Sequence, residues 1–328
     1  MKVKFWGTRG SIPVSLTAQQ VRAKLRAALL AARVQTRAAT PANTAVQTVD
    51  AELDALLDSL PFDVTGTYGG HSSCVQIDSG GPDHVILDLG SGARPLGQAF
   101  VDLYGASQPQ TYHVFMSHLH WDHIMGWPFF APAYIPGNRI VIHAGHAHVE
   151  RAFRRQQDHP SFPVSFDRMG ASISFDVMQA GQTTHIAGMN VTPHLQRHAG
   201  DSYGWRFEQH GKRLIYSTDS EHHVDDEAER LAFIQFFESA DLVIFDAMYS
   251  LADTFSVKED WGHSSNIVGV ELCQAARAKA LVLFHHEPAY DDAQIHRVLL
   301  ETRRFEEITR DQHAVQVSSA YDGLELVV

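Results

Sequence analysis

Between Met116 and Ile124 the chain reads His118-Leu119-His120-Trp121-Asp122-His123, three imidazoles and a carboxylate within six residues. Imidazole and carboxylate are the ligand types taken by zinc and similar divalent cations. In an extended loop His118 and His120 point the same way, while Asp122 and His123 turn towards a second point. One short loop can therefore serve two neighbouring ions. A lone histidine is more often a surface or hydrogen-bonded residue, but this spacing is far more specific than a lone histidine. The apolar run Val114-Phe115-Met116 just before it reads as a buried strand that delivers the loop.

An open metal site needs a cleft floor, so further ligands are expected where strands run into polar loops. Three places qualify. His198 lies in His194-Leu195-Gln196-Arg197-His198-Ala199-Gly200, after a strand ending near Leu195. Asp219 follows the strand Leu214-Ile215-Tyr216-Ser217, and a carboxylate can bridge two cations. His285 follows Leu281-Val282-Leu283-Phe284. His286 stays open as the alternative to His285, and His194 as the alternative to His198.

The elements that must position these residues alternate along the chain. Strands are expected at Lys2–Phe5, Cys74–Ile77, His84–Leu87, Tyr112–Met116, Arg139–His143, Ser172–Val177 and Asn190–Leu195. Tyr203–Glu208 and Lys212–Ser217 form a hairpin through Gln209-His210-Gly211. Further strands follow at Asp241–Phe245 and Leu281–Phe284, with short ones near Val315 and Leu324. Helices are expected at Thr17–Gln35, Val49–Leu60, Ala93–Leu103, Ala147–Gln156, Asp225–Ser239, Ser264–Ala278 and Asp291–Phe305. In the first of these, Val21, Leu25, Ala28, Leu29 and Ala32 fall on one stripe. Arg22, Lys24, Arg26 and Arg33 occupy the other face, either as a solvated surface or, as the sharper alternative, as a basic lid over an anionic substrate. Residues 36–48, rich in Ala, Thr and Pro, read as a linker inside an insertion spanning 14–64. Two half-chains, each strands and then helices with no separating linker, imply an α/β four-layer sandwich. It is one domain over residues 1–328, with the site at the strand ends.

Composition narrows the function classes. The 328 residues carry a formal net charge of -12 and 21 histidines that are not gathered in a tag. The acidic balance disfavours broad nucleic-acid binding, although two divalent ions would offset part of it. No apolar run approaches the roughly 20 residues that span a bilayer, and the opening residues lack a signal-peptide pattern. The two cysteines, Cys74 and Cys273, sit in apolar surroundings and read as reduced, buried thiols of a cytoplasmic protein.

The order HxHxDH, His, Asp, His, each at a strand end, resembles the metallo-β-lactamase fold superfamily. The resemblance runs over nearly the whole chain, including the opening Phe5-Trp6-Gly7-Thr8-Arg9-Gly10-Ser11 and the turn that contains Asp88. It implies an αββα sandwich with two divalent ions, zinc first and manganese or iron as alternatives. By that likeness His118, His120 and His198 hold one ion, Asp122, His123 and His285 the other, and Asp219 bridges them. Asp88 reads equally well as an ordinary strand-end carboxylate or as the partner that orients a metal-bound histidine.

A second likeness bears on the reaction. Asp246-Ala247-Met248-Tyr249 follows the strand Leu242-Val243-Ile244-Phe245, and Trp261-Gly262-His263-Ser264-Ser265 opens a helix. This resembles the tRNase Z-like and small-phosphodiesterase branch, whose members pair an acidic residue after that strand with a histidine at the later helix start. Asp246 stands where tRNase Z usually has Glu, one methylene longer. The likeness implies hydrolysis of a small-molecule phosphodiester or cyclic nucleotide, with Asp122, Asp246 and His263 as the catalytic set. An activated hydroxide would attack phosphorus, and His263, kept protonated by Asp246, would serve as general acid. The plainer reading has His263 capping the helix at Ser264.

Two other functions use the same residues: hydrolysis of a lactone or thioester, which does not need Asp246 and His263, and a non-enzymatic metal-binding sensor. The remaining histidines draw milder expectations. His143, His146 and His148 read as solvent-facing and without a carboxylate partner, His222 and His223 as pocket rim, and His71 as a turn residue open to a substrate contact. Nucleic acid is not favoured as a partner, no membrane is expected, and a homo-oligomer stays open.

Overall fold

Strand by strand, the two-residue alternation of the sequence decides which layer each side chain joins. In the computed structural model, residues 1–38, 49–222, 226–248 and 263–328 are described. Most of the expected linker, His223, Asp225, Tyr249, Trp261 and Gly262 lie outside them.

The first sheet contains β1 (Lys2–Gly7), β2 (Cys74–Asp78), β3 (His84–Leu87), β4 (Thr111–Phe115), β5 (Arg139–Ala144) and β6 (Ser172–Val177). The second contains β7 (Thr184–Ile186), β8 (Met189–Gln196), β9 (Ser202–Gln209), β10 (Lys212–Ser217), β11 (Leu242–Asp246), β12 (Ala280–Phe284) and β13 (Gln316–Ser319). The last strand, β14 (Glu325–Val327), returns to pair with β1, so each sheet is seven-stranded. β3 to β6 run parallel, as do β10 to β13, while the flanking pairs are antiparallel. β7 escaped the sequence reading because its three residues are too few to show a period.

Strands buried on both faces read as continuous apolar runs, and β11 shows the result. Leu242 and Ile244 join Phe5, Phe115, Trp205, Phe207 and Phe284 between the two sheets. Val243 and Phe245 face Phe233, Phe237, Val270 and Leu299, from the helices Glu227–Phe237, Asn266–Ala275 and Asp292–Thr309. On the far side, Tyr112 and Val114 of β4 pack on Leu96 and Phe100 of helix Ala93–Tyr104 and on Phe153 of helix Val149–Gln156. The architecture is therefore helix, sheet, sheet, helix, as expected. No described helix is long and apolar enough to cross a membrane, and both cysteines are free and buried.

The segment between β1 and β2 forms helices Ala18–Ala38, Val49–Asp58 and Phe62–Thr65. The covered side of its first helix is turned from the Val21, Leu25 and Leu29 part of the stripe towards Lys24, Ala28 and Ala32. Val21, Leu25 and Leu29 are 42, 61 and 71% exposed. Lys24 instead turns inward, donating to the carbonyls of Asp63 and Gly66 and pairing with Asp292 at 2.7 Å. An ion pair with a buried carboxylate outweighs a stripe whose apolar residues are mostly Ala and a few Leu. Arg22, Arg26 and Arg33 are exposed, which is the solvated-face reading.

The structure also corrects the reading of His143 and His146 as solvent-facing. Both are buried, and only His148 is exposed. His143 Nδ1 lies 2.9 Å from Asp176 Oδ2 and its Nε2 2.9 Å from His113 Nδ1, with the ring stacked on Phe115. β5 alternates, so His143 falls on the inter-sheet face, and its carboxylate comes from β6, distant in sequence. Burial outweighs Asp176 and lowers the pKa of His143 from 6.5 to about 4. Between those values the folded state binds fewer protons than the unfolded chain, so stability is complete above pH 6.5 and lost as pH falls through the window. His143→Gln is expected to flatten the drop in unfolding free energy, from urea titrations across that range, by on the order of 1 kcal/mol. An identical pH slope in wild type and variant would show that other groups set it.

Candidate metal centre

Ligands in α/β sheets gather outside the carboxyl ends of parallel strands, and the histidines and carboxylates do so here. His118 follows β4, and Asp122 and His123 lie in the one-turn helix Trp121–Ile124 that continues from it. His198 follows β8, Asp219 follows β10, Asp246 ends β11 and His285 follows β12. Asp219 and His285 adopt φ of +50 and +58°, as does Asp88 at +56° after β3. Side chains rarely adopt this left-handed region, and a cluster of such residues is a mark of a functional site.

The seven ligand candidates converge in groups of three linked through His118, His123, Asp219 and His285, and Asp219 and His285 also group with His263. His118, His120 and His198 form one, with His120 Nδ1 3.1 Å from His198 Nε2. Asp122, His123 and His285 form another, with His123 Nε2 3.3 Å from His285 Nε2 and 3.2 Å from Asp122 Oδ2. Asp219 stands between them. Its Oδ1 is 3.8 Å from His118 Nε2 and 3.4 Å from His285 Nε2, and its Oδ2 is 3.2 Å from His123 Nε2. In each group the ligand atoms lie within 4.8 Å of one another. Two features fit the set to cations. Buried Nε2 of His118 has no hydrogen-bond partner, and facing ring nitrogens can share one proton at most. An imidazole-rich set completed by carboxylates suits zinc and similar divalent ions.

Asp88 is fully buried and acts through His123. It accepts from Ser117 N at 2.7 Å, Ser117 Oγ at 2.6 Å, Tyr216 OH at 2.7 Å and His123 Nδ1 at 2.8 Å. That bond places the proton of His123 on Nδ1 and leaves Nε2 facing the centre. The N-terminal turn closes the other side. Ser11 N donates to Asp122 Oδ2 at 2.9 Å, and a Cβ on Gly10 would collide with the His285 ring. Arg9, 2% exposed, holds this turn by donating to the carbonyls of Gly69, Glu287 and Tyr290.

The electrostatics are those of a ligand set. Burial alone would raise Asp122 and Asp219, but the surrounding imidazoles hold both well below the usual carboxylate range. Burial works against a charged His123, yet Asp122, Asp219 and Asp88 raise it. His118 is held neutral by burial, which is the form that ligates. His263 sits beside this cluster, its Nδ1 2.9 Å from Asp246 Oδ2 and its ring stacked on His285 at 5.1 Å. Burial opposes its charge too, but Asp246 and then Asp219 raise its pKa to about 9.

The two runner-up ligands point elsewhere. His286 Nε2 lies 2.9 Å from the carbonyl oxygen of Ala320, and His194 stacks on Phe236 in the helix layer. His222 packs on Phe233 and Phe245, and His71 contacts Ser91 Oγ. Sequence reasoning missed Ser117, Tyr216 and Ser11, whose roles depend on strand register and chain return rather than on any local motif.

The family model described as beta-lactamase superfamily domain matches residues 92–286. No curated protein matches the chain in sequence. Among solved structures, the chain is similar to the metallo-beta-lactamase fold protein YhfI from Bacillus subtilis, at 16% identity and a TM-score of 0.62 over 99% of this chain and 98% of that one. The short form of human tRNase Z aligns at 17% identity and a TM-score of 0.57, covering 100% of this chain and 99% of that one. Unliganded yeast PDE1 aligns at 14% identity and a TM-score of 0.60, covering 80% and 96%.

Elemental analysis should separate ligands from bystanders. Asp122→Ala is expected to retain about one ion per chain fewer than wild type, since it removes one group's only carboxylate outside the bridge. Asp88→Asn is expected to weaken retention roughly ten- to a hundredfold in a chelator competition, through misorientation of His123. Wild-type metal content and affinity in both variants would place the two carboxylates outside the centre.

Proposed function

The chain belongs to the metallo-β-lactamase superfamily, and from that premise we propose that this metal-dependent hydrolase is a phosphodiesterase acting on a cyclic nucleotide or small phosphodiester. The observation that carries the reading is the His263–Asp246 pair, 2.9 Å apart beside the ligand cluster. A phosphodiester that expels an alkoxide needs a proton at the leaving oxygen, and a charged imidazole held by a carboxylate beside the centre is the group to supply it.

Two divalent cations, zinc first and manganese or iron as alternatives, would supply an acidified water as nucleophile and stabilise charge gathering on the phosphoryl oxygens. The chain's own residues do the rest. Asp246 is fully buried and its Oδ1 accepts from Met248 N at 3.0 Å, so its second oxygen is fixed towards His263. Asp246 thereby holds His263 Nδ1 and leaves Nε2 as the only ring nitrogen able to deliver a proton to a leaving oxygen. Ser265 caps the helix Asn266–Ala275 by accepting from Val268 N. The capping role therefore belongs to Ser265, which leaves the His263 ring to the cluster.

Leaving-group basicity provides the test. His263→Ala is expected to lower kcat about 10²- to 10⁴-fold for substrates that release a ribose alkoxide, such as 3′,5′-cyclic AMP. With bis(p-nitrophenyl) phosphate, whose phenolate departs without a proton, the loss should stay within about tenfold. Equal losses on both substrates would remove the general acid. A metal-loaded wild type that hydrolyses lactones and leaves every phosphodiester untouched would overturn the proposal.

A further inference from the structure

The one-turn helix Trp121–Ile124 has two sides. Asp122 and His123 are buried in the centre, whereas Trp121, the residue between His120 and Asp122, is 64% exposed. Beyond it opens a cavity of ≈ 890 Å³, within the range of small-molecule sites. Leu119, Trp121 and Phe129 form one wall, and Arg151 and Arg155 of helix Val149–Gln156 form another. The aromatic wall is unusual for a surface. Phe129 is 55% exposed and is braced edge-on by Phe162, with ring centroids 5.5 Å apart.

The basic wall is equally specific. Arg151 and Arg155 are four residues apart and so share one face of their helix. Among the described residues neither forms a salt bridge, although Arg154 between them is tied to Glu150 at 2.8 Å and Asp167 at 2.7 Å. In a chain of net charge -12, two guanidinium groups without a salt bridge, lining the same cavity as the exposed face of the helix that carries Asp122 and His123, form a local anion site. Flat aromatic faces take a nucleobase by stacking, whichever base it is.

We propose that this cavity receives the part of the substrate beyond the scissile phosphate, with a base against Trp121 and Phe129 and a second phosphate between Arg151 and Arg155. The inference rests on the phosphodiesterase reading and narrows it. A cyclic mononucleotide has a single phosphate, which the reaction commits to the metal centre and which leaves the arginines without a partner. A phosphodiester carrying a further phosphate, such as a dinucleotide with a 5′-terminal phosphate, engages both sites at once.

Two measurements test it on the metal-loaded protein. In hydrolysis, 5′-phosphorylated diadenylate is expected to exceed the same dinucleotide without its terminal phosphate by about tenfold in kcat/KM, mostly through KM. In the Arg151→Ala, Arg155→Ala double variant that ratio should fall to about one. In calorimetry, adenosine 5′-monophosphate should bind more tightly than adenosine, and the double variant should lose that gain, while Trp121→Ala weakens both ligands. Equal hydrolysis of the two dinucleotides, or a preference that survives in the double variant, overturns the pocket and leaves the phosphodiesterase reading standing. If no phosphodiester is cleaved yet the arginine-dependent binding of the monophosphate persists, the reaction fails and the pocket stands. Binding of the monophosphate that is indifferent to both substitutions overturns the pocket by itself.

Discussion

Four carboxylates, Asp88, Asp122, Asp219 and Asp246, are withdrawn from water at one end of the inter-sheet core, none more than 8% exposed. Buried charge of one sign is tolerated only when it is paired and hydrogen-bonded. Here the partners are imidazoles and backbone donors, and the formal charge of the four acids equals that of two divalent cations. Most of the centre's architecture follows from that constraint. Asp88 is spent on His123, Asp246 on His263, and Asp122 and Asp219 face the ligand groups directly. A sheet pair that merely needed to close its apolar interior would have no reason to gather acids where water is excluded.

The backbone shows the same logic. Asp88, Asp219 and His285 are all left-handed, a conformation that costs free energy in a residue with a side chain. Each sits just beyond a strand locked on both faces by core contacts, so the turn that aims it has little freedom to relax. The strands β4, β10, β11 and β12 each end at a residue next to the ligand cluster, and Asp88 after β3 joins it through His123. Arg9 then closes the cluster from the N-terminal turn, a cation buried to satisfy three carbonyls from two distant segments.

Much of this was legible in the sequence, because the strong signals are local. HxHxDH is six consecutive residues, Asp219 and His285 each follow an apolar run that reads as a buried strand, and His198 follows a mixed strand ending near Leu195. The layer order followed from strands and helices alternating in each half. What stayed hidden depends on partners far along the chain. Tyr216 differs from its strand neighbours only in reaching Asp88 across the interface, and Ser11 acts through its backbone N–H, which no side-chain pattern reports. His143 looked solvent-facing because Asp176, its carboxylate, arrives 33 residues later on the adjoining strand. Helix Ala18–Ala38 looked as though its Leu-bearing stripe faced inward, yet Lys24 and the buried Asp292 turn the helix so that Val21, Leu25 and Leu29 are exposed. Periodicity reports that a helix is two-faced; which face is covered depends on what waits to receive it.

The residues proposed for reaction and those proposed for selection sit on different kinds of element. Asp219, Asp246 and His285 sit on strand ends, where displacement of one turn disturbs a core packed on both sides. The arginines sit on the outer helix Val149–Gln156, joined to the core through Phe153 and Val149 but with its polar face in solvent, and Trp121 is the exposed residue of the ligand-bearing turn. Substitution there alters a surface without uncovering any buried charge. The helix Trp121–Ile124 joins the two, with buried ligand candidates on one side and an exposed indole on the other. A chain built this way can keep its chemistry while its border residues set which anion is presented to it.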